Sequence, residues 1–462
     1  MQNFNSQPNL KEAEHLLPKT ISQHQKGYIH QFWAQIPPRD AAAATPKKLS
    51  GMAQHAWQTL GAYLKKPKLM VAVHNPSYTR NTVIDVLMPD QPFIVDTVWM
   101  HLQAQGLAVK TSVHPIWQIK VDKNKRVHDI NLADDIPDIT EQNVAQVYLE
   151  IDRISDEKQL KILQNTLLES MCKAQNVVAD FKPIVGKLKQ LLATQETQKP
   201  PHNMAGEAEE SLAFIRWVLQ NNFIFLGYRH YVIKQGKIQS QTTAQAVKDS
   251  GMGLFKGVKS SLDNPTKWKD LDANLRAYFS EKHFLTVTKA TQKAPVHRAA
   301  EMDYISFRTY NKHGKVDGEH RFVGLLTSKA YTTSVQDIPI IGRKIRIILT
   351  EAGYPRGSHN YKALHNILAM FPLDELLAMD LAELKRISLG ILHLQDRPQV
   401  RLFMRHNKFE RQVSVLIFLP LERMNSSLRA KITDILMTQL RGESIDFSLR
   451  MGEGTLAQLV FN

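Results

Sequence analysis

The pattern nearest to a dinucleotide cradle in these 462 residues is Gly251-Met-Gly-Leu-Phe-Lys-Gly257. A pyrophosphate is held by backbone amides at a strand-to-helix turn, which Gly-x-Gly-x-x-Gly spacing allows to close tightly. Here the third glycine comes one position late and no Gly-Lys-Ser/Thr follows. The surroundings do not read as a buried parallel strand, so a flexible turn is expected and no cofactor is assigned to this chain. Metal chemistry finds no pattern either. There is no His-Glu-x-x-His and no acidic calcium loop, and a single cysteine excludes a thiolate cage, so no metal ligands are assigned. No serine carries elbow glycines, and no catalytic residue is assigned. Cys172 follows an apolar helix face and reads as a buried, inert thiol. His359, His365 and His393 fall on predicted helices as ordinary, partly exposed histidines.

Charged residues in apolar surroundings say more. In Met88-Pro-Asp-Gln-Pro-Phe-Ile-Val-Asp96 a turn joins a strand to a helix, and an acid at Asp90 is placed to cap backbone N–H groups. Capping is the commoner role. The same turn, Asp90, Gln91 and Phe93, is the candidate wall of an effector site. In Val296-His-Arg298 and Gly318-Glu-His-Arg321 charges enter strand-rich sequence, and Glu319 with Arg321 is expected to form a cross-strand or edge ion pair. Arg401 and Arg405 lie in a similar strand pattern. Such arginines can grip a carboxylate with two nitrogens, although exposed strand faces commonly carry them without function.

The elements that position these residues follow from periodicity. A polar, Gln-rich segment over 1–50 looks loosely attached, and a helix over 52–64 leads a first module that runs to residue 190. Residues 82–88 are β-branched and apolar, and Val95, Val98 and Leu102 recur at helical spacing until Gly106. Strand-formers over 107–121 are broken only at His114 and Pro115. After an Asp-rich excursion containing Lys123, Lys125 and Arg126, an apolar run spans 144–151, and Leu160, Leu163, Leu167 and Met171 line one helix face. This β-α-β-β-α order is most of a ferredoxin-like unit, two helices on one face of an antiparallel sheet.

Residues 190–206, with Pro200 and Pro201, read as a linker. An antiparallel α+β domain over 207–335 follows. It has a helix with Leu212, Ile215 and Leu219 inward, strands over 223–233, 284–289, 303–310 and 319–327, and a turn at Lys312, His313 and Gly314. Helices dominate 336–395, broken at Gly353, Pro355 and Pro372. The last domain, 396–462, has strands over 400–404 and 413–419, a helix with Leu428, Ile432, Ile435, Leu436 and Leu440 on one face, and two closing strands, a ββαββ order. The fold class is α+β.

Composition bounds the function. Hydrophobic residues at 43% and charged residues at 22% are those of a globular chain able to bury cores in roughly two to four domains. The apolar run over 415–421 falls far short of the roughly 20 residues a membrane helix needs, so no membrane span is expected. One cysteine fits a reducing cytoplasm. A net charge of +15 raises the question of a polyanionic partner, but the cations are spread out, and nucleic-acid binding ranks last.

Taken together, Pro92-Phe-Ile-Val-Asp-Thr-Val98, His114-Pro115, Asn222-Phe-Ile-Phe-Leu-Gly-Tyr-Arg229, Val296-His-Arg298 and Met302-Asp-Tyr304 form a familiar series. It continues with Gly318-Glu-His-Arg-Phe-Val-Gly-Leu-Leu-Thr-Ser-Lys-Ala-Tyr331, Ile338-Pro339, Phe371-Pro-Leu-Asp-Glu-Leu376 and Arg401-Leu-Phe-Met-Arg405. From about Val83 onward the chain resembles the N-terminal region of the large bacterial NAD-specific glutamate dehydrogenases. The resemblance implies ACT-type modules over 51–190 and 396–462, an amino acid as effector, and homo-oligomers. It also implies a catalytic portion, on the same or a neighbouring polypeptide, that converts L-glutamate, NAD and water to 2-oxoglutarate, ammonia and NADH. That portion, with its substrate-binding lysines, catalytic acid and Rossmann domain, is expected to lie beyond these residues. The chain alone is expected to be inactive, with NAD belonging to the complete enzyme. The alternative is an oxidoreductase subunit acting with a separately encoded catalytic half. Leu373 and Leu421 stand where the family pattern has basic residues.

Overall fold

Three prolines and two hydroxyls start the first helices in the computed structural model, which describes residues 7–121, 127–132, 143–197, 205–236, 241–280, 283–311, 313–396, 399–406, 413–451 and 456–461. Pro8, Pro38 and Pro46 open α1 (Pro8–His15), α3 (Pro38–Ala43) and α4 (Pro46–Lys65), where a missing N–H costs nothing. Ser22 caps α2 (Gln23–Ala34) and Thr45 caps α4, each hydroxyl accepting an amide three residues on. The loose segment expected over 1–50 is therefore corrected. Tyr28, Ile29, Phe32, Trp33 and Ile36 recur at helical spacing and are buried, and Trp33 Nε1 donates to Leu49 O at 3.0 Å. Sparse aromatics among Gln and His hid this face from a composition-based reading.

The chain separates into two compact units, 1–179 with 294–299, and 180–293 with 300–462. In the first, β1 (Met70–His74), β2 (Thr82–Pro89), α5 (Ile94–Ala104), β3 (Val109–Val113), β4 (Ile116–Val121), β5 (Val127–Leu132) and β6 (Asn143–Ile151) precede the long α6 (Glu157–Thr197). The sheet order is β1-β2-β6-β4-β5, with β3 also on β6. The expected ferredoxin-like β-α-β-β-α is present as β2, α5, β3, β6 and α6. Its fourth strand position, beside β2, is filled by β1 from in front of the unit, a strand the sequence reading missed, as it missed β5.

Strands β2 and β6 are buried almost throughout because both faces are covered. Side chains alternate across a strand, so Val83 and Leu87 join the core under α1–α4, whereas Ile84, Val86 and Met88 join the core under α5 and α6. Gly106 closes α5 with φ 68. Leu163, Leu167 and Met171 face the sheet as expected. Cys172, read as buried, is exposed: it lies one residue, about 100° of helix, beyond the buried stripe. The first unit ends at Ala179, whose carbonyl would serve the residue four on; that residue is Pro183, which has no N–H. Helix α6 continues to Thr197 through the first part of the expected linker, and Pro200 and Pro201 lie outside the described residues, as do Lys123, Lys125, Arg126 and Lys312.

The second unit begins at Asp180 within α6, whose Ile184 and Leu188 join its core. It continues with α7 (Ala205–Trp217), where Phe214, Ile215 and Trp217 are buried and Leu212 is half-buried; just past the helix Val218 is buried and Leu219 half-buried. A sheet of order β10-β8-β7-β13-β12-β11 follows, made of β7 (Phe223–Lys234), β8 (Thr243–Ala246), β10 (Thr266–Lys267), β11 (Leu285–Lys293), β12 (Glu301–Tyr310) and β13 (Val316–Leu326). The short β9 (Met252–Gly253) pairs with β7, and α8 (Ala273–Ser280) precedes β11. Helices α9 (Ser328–Thr332), α10 (Ile341–Glu351), α11 (His359–Met370), α12 (Leu373–Ala378) and α13 (Leu381–Asp396) lead to a sheet of order β14-β15-β17-β16. Its strands are β14 (Arg401–His406), β15 (Val413–Pro420), β16 (Phe447–Met451) and β17 (Leu456–Phe461), with α14 (Ser426–Leu440) between β15 and β16. On α14 only Leu436 is buried, with Leu428 and Ile432 packed beside it. Ile435 and Leu440, expected on the same face, are exposed because the packed stripe is one residue wide at each turn.

Glu319 and Arg321 are neither cross-strand nor at an edge. They lie two apart on β13, between β7 and β12, with Arg321 Nη2 at 3.0 Å from Glu319 Oε2. Tyr278, Tyr304 and Ser306 donate their hydroxyls to Glu319 Oε1 at 2.9, 2.6 and 2.7 Å. Burial pushes the Glu319 carboxyl up, but Arg321 and these hydroxyls more than reverse it and hold it down at about 2. Next to it burial, then His230 and Lys187, drive His320 down to about 3. A neutral His320 accepts the Tyr228 hydroxyl at 2.8 Å and stacks on His230 at 4.1 Å.

Both groups bind fewer protons folded than unfolded, so stability should fall in acid. The His320 contribution is lost from roughly pH 6.5 down towards 3, and that of Glu319 only below roughly pH 4.3. Urea unfolding should show His320→Gln losing less stability than the parent between about pH 7 and pH 5; equal losses contradict the buried neutral histidine. Glu319→Leu should cost about 3–5 kcal/mol by leaving Arg321 buried without its counter-charge, and Arg321→Met in the same chain should restore much of it.

Candidate functional site

Beyond Pro89, where β2 ends, the Asp90 N–H still donates to Asn143 O at 2.9 Å, one step past the strand. Burial raises the Asp90 carboxyl above its ordinary value, opposed by the backbone N–H of Gln91 that it accepts. Its oxygens therefore serve the turn and not the helix, which corrects the capping expectation. The N-cap of α5 is Phe93, in the left-handed region at φ 76, and no side chain caps it. Counting helical spacing from Pro92 started the helix two residues too early, because this backbone reversal cannot be read from apolar periodicity.

Left-handed backbone is costly for a bulky residue and persists only when surrounding contacts enforce it. Phe93 faces a second case. His297 has φ 75, and the two ring centroids are 5.2 Å apart. Segment 294–299 belongs to the first unit. It is seated by buried Ala294 and Val296, by the His297 N–H donating to Thr97 Oγ1 at 3.1 Å, and by His297 Nδ1 at 3.0 Å from Asp96 Oδ2. His101 Nε2, on the same helix, lies 3.4 Å from Pro295 O and 2.7 Å from Ser170 Oγ, and burial holds this histidine below its ordinary value.

The turn thus combines three features. The first-turn amides of α5 have no side-chain cap, Gln91 Nε2 is buried without a partner among the described residues, and Asp96 projects a carboxylate beside the Phe93 and His297 rings. Amides at a helix start favour an anion, and a carboxylate within the same turn favours a cation. Asp90, Gln91 and Phe93 are brought together as sequence neighbours. Asp96, Thr97 and His297 were not among the candidates, although both motifs that contain them, Pro92–Val98 and Val296–Arg298, had been singled out separately.

The other singled-out residues lie in the second unit and do structural work. Arg405 does grip a carboxylate, that of Glu375, with Nε at 3.1 Å and Nη2 at 2.9 Å from Oε2, and Ser414 donates to Oε1 at 2.8 Å. Arg401 lies over Phe403. The Gly251–Gly257 segment is a fastened turn: Gly227 pairs with Gly253, where a Cβ would stand 2.2 Å from Leu226 O, and Asp180 accepts the Gly253 N–H at 2.9 Å and pairs with Lys256 at 3.0 Å. Arg229 donates to Phe255 O at 2.9 Å and to Val258 O. Leu373 is buried in the helical core, and Leu421 is exposed. His359 and His393 are exposed and His365 half-buried. His365 lines an open groove of about 510 Å³ with Asp337, Arg346 and Lys362 that no sequence pattern announced. No helix among the described residues is long and apolar enough to cross a membrane.

Comparison with known proteins adds three domain families. Residues 28–167 match "Glutamate dehydrogenase, ACT1 domain", residues 338–397 match "Glutamate dehydrogenase, helical motif 1", and residues 401–462 match "Glutamate dehydrogenase, ACT2 domain". The chain is similar to proteins named NAD-specific glutamate dehydrogenase. That of Halomonas elongata is 29% identical over 94% of the chain and 27% of its own length. Those of Pseudomonas aeruginosa and Mycobacterium tuberculosis are 28% and 24% identical, over 99% and 80% of the chain and 28% and 21% of their own lengths. The chain therefore spans between about a fifth and a little over a quarter of the length of these relatives. With three of the family's domains in succession across more than half of its residues and antiparallel α+β sheets in both ACT regions, the chain belongs to the large bacterial NAD-specific glutamate dehydrogenase family.

Proposed function

We propose that this chain is the regulatory and assembly region of an NAD-specific glutamate dehydrogenase, and that its first ACT module senses a free amino acid at the turn between β2 and α5. The observation that carries the reading is the open helix start at that turn, inside residues 28–167 matched as an ACT domain, with the ring of His297 from outside that region set against Phe93. The α-carboxylate of the ligand would meet the first-turn amides of α5 and Gln91 Nε2, its ammonium would meet Asp96, and Phe93 and His297 would flank its side chain. Binding one arrangement of the 294–299 segment better than another shifts its population, which is how such a module regulates. The module bounds 51–190, 207–335, 336–395 and 396–462, the assembly with further copies and the pairing with a catalytic portion belong to the same proposal. All strand pairings among the described residues are antiparallel, which supports a role other than holding a dinucleotide on a parallel βαβ unit.

A thermal-shift panel of the free amino acids tests this. At least one should raise Tm by a few degrees, consistent with about 1–3 kcal/mol of ligand stabilisation well above Kd. Asp96→Ala, whose side chain is mostly exposed, should abolish the shift while leaving the ligand-free Tm nearly unchanged. A flat response to every amino acid, or a shift that survives Asp96→Ala, contradicts the site.

A further inference from the structure

His55, His74 and Asp85 are far apart by the spacings that mark metal sites, and three elements bring them together. Asp85 is on β2, opposite Ala72 on β1, so His74 stands diagonally across from it on the same face of the hairpin. His55 reaches that face from α4. His55 Nε2 lies 2.8 Å and His74 Nδ1 3.8 Å from Asp85 Oδ2, the two imidazole centroids are 4.7 Å apart, and one donor atom from each residue lies within 4.8 Å of the others.

A simple His–Asp ion pair accounts for only part of this. Asp85 has no exposed surface, yet its Oδ1 has no hydrogen-bond partner among the described residues, and neither does the buried Nε2 of His74. A buried carboxylate oxygen without a partner costs roughly 1–3 kcal/mol, more for a charge. Two neighbouring hydroxyls are engaged elsewhere: those of Tyr78 and Tyr148 lie 3.3 Å apart, and Tyr148 donates to Glu150 at 2.8 Å. Lys48, at the start of α4, pairs with Glu150 at 2.8 Å and not with Asp85. Tyr78 is pressed against Gly51, where a Cβ would come within 2.4 Å of the tyrosine's own Cβ, so its ring walls the site 5.9 Å from that of His55.

We propose that His55, His74 and Asp85 bind a divalent transition-metal ion, Zn²⁺ before others, and that the ion pins α4 to the β1–β2 hairpin. Two imidazoles and one carboxylate are a borderline donor set suited to Zn²⁺ and unlike the all-oxygen shells of Ca²⁺ or Mg²⁺. Ligands about 2.0–2.2 Å from a tetrahedral ion lie roughly 3.3 Å apart, between the 2.8 Å and 3.8 Å that separate the His55 and His74 nitrogens from Asp85 Oδ2. The histidines are 18% and 34% exposed, which leaves an entry path and room for water as further ligand.

The test uses the full chain stripped with a chelator, then titrated with Zn²⁺ by calorimetry, with Co²⁺ as a spectroscopic probe. One ion per chain should bind with a rise in Tm, and Co²⁺ should give visible ligand-field absorption. Because Asp85 is buried in a central strand, Asp85→Asn risks the fold. His74→Ala and His55→Ala keep the question answerable, each expected to weaken Zn²⁺ by more than about tenfold and to remove the Co²⁺ bands with the circular dichroism unchanged. Absence of saturable Zn²⁺ binding, or binding and Co²⁺ bands that survive both histidine variants, overturns the site.

Discussion

The pairing of β2 with β6 is the constraint from which the first unit follows. Both strands are buried on both faces, and a shift of one residue would exchange every side chain between the two cores. In the register that holds Val86 opposite Val147 and Asp85 opposite Tyr148, odd-numbered residues of β2 face α1–α4 and even-numbered ones face α5 and α6. The same strand therefore carries Asp85 into the histidine cluster and delivers Asp90 to the turn before α5. Two polar sites hang from one strand at positions fixed by its neighbours.

Much of this architecture can be read from residue order. The apolar run of β2, the spacing Val95, Val98 and Leu102, Gly106 and the stripe Leu163, Leu167 and Met171 announce a ferredoxin-like unit because each obeys a single local period. Four features escape for physical reasons. The helices over 8–43 bury few but large residues among polar ones. Strand β1 is short and takes its partner from later in the chain. Left-handed backbone at Phe93 and His297 leaves no trace in composition, and Asp96, Thr97 and His297 meet only through a segment about 200 residues away. His55, His74 and Asp85 share no motif at all, since sheet register and helix packing, not spacing, join them.

Charge placement divides in the same way. Glu319 with Arg321, and Arg405, attract notice in sequence as charges among strand-forming residues, and the structure resolves them as internal pairs, Arg405 with a Glu375 that drew no such notice, completed by hydroxyls. Groups of this kind fix a sheet in one arrangement, and both oxygens of each carboxylate are taken up by groups of the protein itself. The turn at Asp90–Phe93 and the cluster at Asp85 differ in that their unused donors and acceptors stand beside the partly exposed Asp96 and His74, and unused polar capacity in a half-buried place is what a ligand can exploit.

Regulation without chemistry is the central claim, and NADH formation by the purified chain supplied with L-glutamate and NAD tests it most directly. The expected trace is flat at every glutamate concentration. NADH that accumulates in proportion to the chain and to glutamate would show that these residues hold a catalytic site of their own.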